Sequence, residues 1–288
     1  WEYTKADGYT IKQDVSNHWN YGKLFPSLSI EQDLNERDKM TFSVSRRINR
    51  PTYSELNPVR WYTDRYFYYS GNPNLVPEIS WILSTAYTLQ RKYVFTITYN
   101  RSNNYINRKL TIDGNAIKTH AYNLGVMQRL DMMASLPLQA TAFWEMQLMP
   151  TVGYMAYPVS QLKGDKILSK WFAALTAQQQ FKLPAGIKMD ISTQCSSAAI
   201  RGVYITRGYF YTDIGFKRSF LSDKLDAQLS FSDIFNSNVY SGVSQSDISD
   251  YYYSDKRDTR REGFTLHYHL GSDLVKGNSK KTEEQERL

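Results

Sequence analysis

One cysteine, four histidines and the lack of any long apolar run set the limits of this chain. Cys195 has no second cysteine to pair with and cannot build a cysteine-based zinc site, so a disulfide-stapled fold is excluded. No stretch approaches the roughly 20 consecutive apolar residues that a spanning helix needs. The chain opens at Trp1 with Glu2 and Lys5 close behind, unlike a signal peptide. The expectation is a processed protein or the later part of a longer one. The signatures Gly-x-Ser-x-Gly, His-Glu-x-x-His and the phosphate-binding Gly-x-x-x-x-Gly-Lys-Ser/Thr are absent, and no two carboxylates are spaced for acid-base work. Catalysis is therefore not expected.

The charge balance is +7, from 35 basic and 28 acidic residues. The basic residues are scattered and form no cluster of the kind that tracks a phosphate backbone, so nucleic acid is not an expected partner. The last residues are charged but balanced, with Lys276, Lys280, Lys281 and Arg287 offsetting Asp273, Glu283, Glu284 and Glu286.

What the chain has in excess is aromatic side chains, 15% of the total, including 23 tyrosines. Its mean hydropathy of -0.54 hides a strong period of two. Met40, Phe42 and Val44 alternate with Thr41, Ser43 and Ser45. The same pattern recurs in Ile79, Trp81 and Leu83, in Tyr93, Phe95, Ile97 and Tyr99, and in Ile187, Met189 and Ile191. It returns in Leu225, Ala227, Leu229 and Phe231, and in Phe264, Leu266, Tyr268 and Leu270. Each segment is a strand with one apolar and one polar face.

Segments 24–34, 39–49, 79–90, 92–103, 171–182, 187–197, 209–220 and 261–271 reach the 9 to 11 or so residues of a transmembrane β-strand. Further strands are expected near 6–16, 120–133, 143–156 and 225–235, making about twelve. Pro137 and Pro150 interrupt the region 132–158 and make its strands the hardest to place. Short turns are expected at 35–38, 90–92, 183–186 and 221–224, and long connections at 49–78, 101–119, 157–170, 197–208 and 236–260. Long and short mostly alternate, which puts the long loops at one end of an antiparallel meander. The predicted fold is all-β, an antiparallel transmembrane β-barrel over residues 1–271 followed by a charged periplasmic tail, 272–288. Arg46 and Arg47 cannot both face lipid; the favourable solution turns Arg47 inward and leaves Arg46 near the interface.

Several motifs then resemble a known family. They are Leu24-Phe25-Pro26-Ser27-Leu28, Ser45-Arg46-Arg47-Ile48-Asn49-Arg50-Pro51 with Tyr53, Leu56-Asn57-Pro58, and Gly71-Asn72-Pro73-Asn74-Leu75 with Pro77-Glu78. Together with Gly263 to Gly271 at the place of a last strand, they resemble TonB-dependent receptor-like proteins of the outer membrane protein β-barrel family common in Bacteroidetes. His269-Leu270 stands where that family more often has Arg-Phe. The resemblance implies the C-terminal part of a barrel of about 22 strands, a plug domain, and TonB-dependent uptake of an unidentified ligand. It implies outer-membrane lipid and the TonB system as partners, leaves room for a surface lipoprotein, and calls for no cofactor.

The candidate ligand contacts are Trp61, Tyr62, Tyr66, Phe67, Tyr68 and Tyr69 in the first long loop. Such aromatics either stack on a sugar, siderophore or peptide, or pack the loop over the barrel mouth, and both readings stand. Tyr251, Tyr252 and Tyr253 read as an aromatic girdle. His267 and His269 share a strand face with no third metal ligand nearby in sequence, and read as polar lumen residues. Cys195 shares the parity of Met189 and Ile191 and reads as a small wall residue. Two other functional readings stay open: a complete small barrel acting as adhesin, pore or enzyme, and a soluble extracellular β-protein that binds carbohydrate.

Overall fold

In the computed structural model, described for residues 1–10, 15–161, 164–202, 204–245 and 250–270, the chain is almost entirely strand. β1 (Glu2–Thr10) and β2 (Val15–Lys23) form a separate antiparallel hairpin. This replaces the single strand expected near 6–16. Pro26 then lies at the start of β3 (Ser27–Asp33), which pairs with β4 (Lys39–Asn49). The long connection that follows holds α1 (Tyr53–Leu56), β5 (Trp61–Asp64) and β6 (Phe67–Tyr69).

The wall continues through β7 (Glu78–Leu89), β8 (Tyr93–Asp113), β9 (Ala116–Thr141), β10 (Trp144–Gln161), β11 (Gly164–Lys182) and β12 (Lys188–Ser196). Two short strands, β13 (Ala199–Arg201) and β14 (Tyr204–Thr206), precede β15 (Tyr209–Phe220) and β16 (Leu225–Ser232). β17 (Tyr240–Gln245), β18 (Asp250–Asp255) and β19 (Arg261–Tyr268) complete the order. Eleven strands, from β3 to β19, pair antiparallel in one sheet, each beside its neighbour in the meander. The two edges, on β3 and on β19, have no strand beside them among the described residues.

Register shows why the period of two matters. Residues directly opposed across strands share a face. One rung runs Ile30, Phe42, Thr85, Ile97, Met132 and Val152. Another runs Leu175, Cys195 and Phe210, which places Cys195 on the same apolar face. Leu28, Ile30, Phe42, Ile97, Trp171 and Phe264 remain more than a third exposed, as a lipid-facing surface requires. The opposite face is polar: Ser29, Ser43, Ser84, Thr98 and Asp131 form one of its rungs.

Successive connections of the wall fall alternately at its two ends. At one end the links are tight, as at Asn35, whose Oδ1 accepts from the backbone N–H groups of Arg37 and Asp38 at 2.8 and 2.9 Å. At the other end two expected loops prove to be strand. Residues 101–119, 157–161 and 164–170 extend the hairpins β8–β9 and β10–β11, so that β9 runs 26 residues and β8 runs 21. Beyond the ends of their neighbouring strands these hairpins satisfy their backbone groups by pairing with each other, and their Leu124, Met127 and Tyr157 form a small apolar core with Ile200 of β13. Gly114-Asn115 closes β8–β9 as a two-residue turn, Gly114 supplying a φ of 61°.

Pro137 and Pro150 do not end their strands. Pro137 sits opposite Gln147, and Pro150 opposite Leu175 while its partner on β9 drops out of the ladder. The connections 197–208 and 236–260 also carry order, because β13, β14, β17 and β18 make a four-stranded sheet at the long-loop end. Tyr252 and Tyr253 therefore belong to that outer sheet, not to a girdle: Tyr253 packs its ring 5.0 Å from Tyr204 and 5.5 Å from Tyr240. The side chain of Tyr251 and the tail 272–288 lie outside the described residues.

Candidate ligand platform at the long-loop end

The first long loop is built to hold a shape. Thr52 caps α1 in a reciprocal box with Glu55, its backbone N–H donating to Glu55 Oε2 at 2.8 Å. The returning chain then donates from Gly71 N–H to Asn57 O at 2.7 Å and from Asn72 N–H to Glu55 O at 2.6 Å. A Cβ on Gly71 would stand 2.4 Å from Asn57 O, so only glycine fits this approach. Asn123 receives the far end of the loop, accepting from Val76 N–H and donating to Val76 O, each at 2.9 Å.

Between these anchors β5 pairs with β6, and β6 lies parallel to β9 with Phe67, Tyr68 and Tyr69 opposite Ile117, Lys118 and Thr119. The extruded part of β9 has lost its β10 neighbour, and β6 takes that edge. This arrangement divides the six predicted aromatics. Tyr68 is buried at 1% exposure, donates its hydroxyl to Asp113 and lies under the Arg60 guanidinium, 4.9 Å from its ring centroid. Burial and the bond to Asp113 push its phenol up to about 12. Tyr68 holds the loop to the hairpin tip. Tyr62 packs on it at 5.2 Å, and Phe67 meets Tyr69 edge to face at 5.2 Å. Trp61, Tyr62 and Tyr66 each present more than half their surface outward.

Beneath Trp61 and Tyr69 lies a cavity of about 210 Å³, closed on the hairpin side by Arg108, Thr119 and His120. Arg108 stacks its guanidinium 5.5 Å from the Tyr69 ring centroid. Thr119 Oγ1 and His120 Nδ1 are buried there without a hydrogen-bond partner. Burial, reinforced by Lys118 and Lys109, lowers the His120 imidazole to about 4, so it is neutral at physiological pH. The cavity thus combines aromatic walls, one cation and unsatisfied polar atoms. Arg108 and Thr119 fall inside an expected loop and His120 at the start of the strand expected near 120–133, so sequence reasoning did not bring the three together. The Gly114-Asn115 turn between alternating segments is the signal that would have exposed them.

The polar wall face is internally hydrogen-bonded. Gln147 Nε2 donates to Ser135 Oγ at 2.8 Å and Gln180 Nε2 to Asp190 Oδ1 at 3.0 Å. At the short-turn end the His267 and His269 rings meet edge to face at 4.5 Å, and His269 lies 3.4 Å from Asp226, which also holds Lys217 at 2.9 Å. Among the described residues no three of His, Cys, Asp and Glu gather around a common point.

The sequence profile of the outer membrane protein beta-barrel family matches residues 1–268. The chain belongs to that family. As an outer-membrane β-barrel protein it crosses the bilayer with the strands described above, and the soluble carbohydrate-binding reading is set aside. Solved structures agree in fold. The siderophore receptor PirA from Pseudomonas aeruginosa superposes with a TM-score of 0.55 at 15% identity, covering 88% of this chain and 42% of that one. A mutant of the ferric enterobactin receptor PfeA from the same organism, in complex with enterobactin, gives 0.52 at 16% identity, with 87% and 40% covered. This β-barrel chain therefore spans about two fifths of the length of those receptors. A search of curated protein sequences finds no match.

Proposed function

We propose that this chain forms about half the wall of a TonB-dependent outer-membrane receptor, and that ligand is captured at the long-loop platform. The observation that carries the reading is the open sheet of eleven wall strands. In lipid, an unpaired strand edge leaves N–H and C=O groups with nothing to bond, so β3 and β19 call for further strands to close the barrel. A lumen lined by serine, threonine, glutamine and aspartate suits a hydrated or plugged interior. A plug domain, the TonB system and a surface lipoprotein are the partners of this proposal, and the tail 272–288 faces the periplasm in it. A complete small barrel would need β3 to pair with β19, a ladder that does not form among the described residues.

Of the six predicted contacts, Trp61, Tyr62 and Tyr66 are the ones free to touch ligand, with Tyr69 reached through the cavity. Phe67 and Tyr68 shape the platform. The proposal is tested by uptake of a panel of ferric siderophores and oligosaccharides into cells carrying the full-length receptor, with and without a functional TonB system. Uptake of one class that vanishes without TonB, and falls in a Trp61→Ala/Tyr62→Ala variant that still inserts, is the expected result. Uptake indifferent to TonB would remove energised transport from the reading.

A further inference from the structure

On the outward face of the wall, one rung above the last fully apolar one, Arg46, Trp81, Arg101 and Gln128 stand side by side on β4, β7, β8 and β9. The rung below them on the same face is Val44, Leu83, Tyr99, Leu130, Tyr154 and Trp171. Its Tyr and Trp side chains mark the level where hydrocarbon gives way to headgroups. Arg46 and Arg101 therefore sit at that boundary, toward the long-loop end and so in the outer leaflet.

Two lumen-facing cations of the wall are paired with carboxylates: Arg129 with Asp131 at 2.6 Å and Lys217 with Asp226 at 2.9 Å. The two outward arginines have no such partner among the described residues. Arg46 lies 5.8 Å from the Trp81 ring centroid and 5.9 Å from that of Phe25, and its Nη1 donates to Leu24 O at 3.0 Å. Its Nε is buried and has no acceptor. The Arg101 side chain is exposed and forms no ion pair among the described residues. Strands β4 and β8 flank β7, so the two backbones are separated by two strand spacings, about 10 Å. Two long side chains have the reach to close that span on a shared group, with Trp81 on the strand between them. An unpaired guanidinium at a membrane boundary is stabilised by a phosphate, whose oxygens match its donor fork.

We propose that Arg46 and Arg101, flanking Trp81, form a binding site for the phosphate-bearing headgroup of an outer-leaflet lipid. Trp81 packs against the body of the headgroup while the arginines close on its phosphate, and Gln128 supplies a further polar contact on the same rung. This surface is separate from the ligand platform and from the lumen, so it anchors the wall to its lipid and does not depend on which ligand is transported.

The test uses the full-length receptor in phosphatidylcholine nanodiscs doped with lipid A or with enzymatically dephosphorylated lipid A, the retained lipid being counted by native mass spectrometry. Wild type should retain the phosphorylated lipid in preference, and Arg46→Gln/Arg101→Gln should lose that preference several-fold. Arg218→Gln, at the short-turn end, should keep it. If the double variant does not insert, Arg101→Gln alone carries the test, because its exposed side chain has no hydrogen bond or ion pair to lose among the described residues. Equal retention of both lipids by wild type, or undiminished retention by the arginine variants, overturns the proposal. Displacement of the lipid by inorganic phosphate alone overturns it too, since the site would then be a simple anion site.

Discussion

The Tyr68 hydroxyl donates a hydrogen bond to Asp113, joining a strand of the first long loop to the tip of the β8–β9 hairpin across 45 residues of sequence. Arg60 stands 3.2 Å from the same carboxylate and covers the Tyr68 ring. Three side chains thus fasten two separate connections into one platform above the barrel wall.

Removing that hydroxyl isolates its share. Tyr68→Phe keeps the buried ring and leaves Asp113 to Arg60, so the loop should loosen by about 1 kcal/mol. Limited proteolysis within residues 57–77 should quicken while the wall keeps its melting behaviour. Alkali should act in the same place: the raised phenol keeps its proton in the folded loop after an unfolded tyrosine has lost it. Stability is full below pH 10 and declines as pH rises from there toward 12.

His120 predicts an acid response at the cavity. Its imidazole is lowered from 6.5 to about 4, so the folded hairpin refuses a proton that an open one accepts. Stability is complete above the ordinary value of 6.5 and is lost as pH falls toward 4. The hydrogen-exchange protection factor across Ile117–Ala121 and Phe67–Tyr69, taken relative to the intrinsic exchange rate at each pH, should fall over that range in wild type. In His120→Gln it should stay flat, and a wild type that also stays flat would contradict the burial argued for this ring.

Gly71→Ala should damage the platform without touching the wall. The added carbon meets Asn57 O at 2.4 Å, Asn57 N at 2.6 Å and Glu55 O at 2.7 Å, all backbone atoms that cannot swing aside. A penalty of about 1–3 kcal/mol is expected, read as early cleavage of the loop. An undisturbed loop in this variant would mean that the contact between Gly71 and the α1 segment is dispensable.

Neighbouring cysteines on β4 report the two faces of the wall. Phe42 faces outward with Ile30 and Thr85, whereas Ser43 shares the inner rung of Ser29 and Ser84. With Cys195 replaced by serine, Phe42→Cys should react with a lipid-soluble maleimide and Ser43→Cys with a water-soluble one. Identical labelling of both would refute the assignment of faces.

How much of this was legible beforehand differs between wall and platform. The alternation of Met40, Phe42 and Val44 with Thr41, Ser43 and Ser45 contains its own explanation, because period two places successive side chains on opposite faces whatever the partner strand is. The tight turns at 35–38, 90–92, 183–186 and 221–224 were legible for a similar reason, since their geometry is local. Arg46 and Arg47 could be assigned to opposite faces from neighbouring positions alone, and the register agrees: Arg46 stands opposite Trp81 and Arg47 opposite Ser80. The extruded hairpins were misread as loops. The segments 101–119, 157–161 and 164–170 are polar enough for loops, and only hairpin pairing makes them strands. The tyrosines of β18 looked like a girdle for the same cause: aromatic content shows a preference for interfaces, not which interface.

The sequence by itself determined that this chain is a two-faced antiparallel wall with its long connections at one end, because strand period, strand length and turn chemistry are properties of neighbouring residues. Tertiary structure decided which aromatics are buried and which are free, that Arg108, Thr119 and His120 share a cavity with Trp61, and that Arg46 and Arg101 flank Trp81 on the lipid face. Those relationships depend on register between strands far apart in the chain, and register is set by the pairing of whole segments, which no single stretch of residues contains.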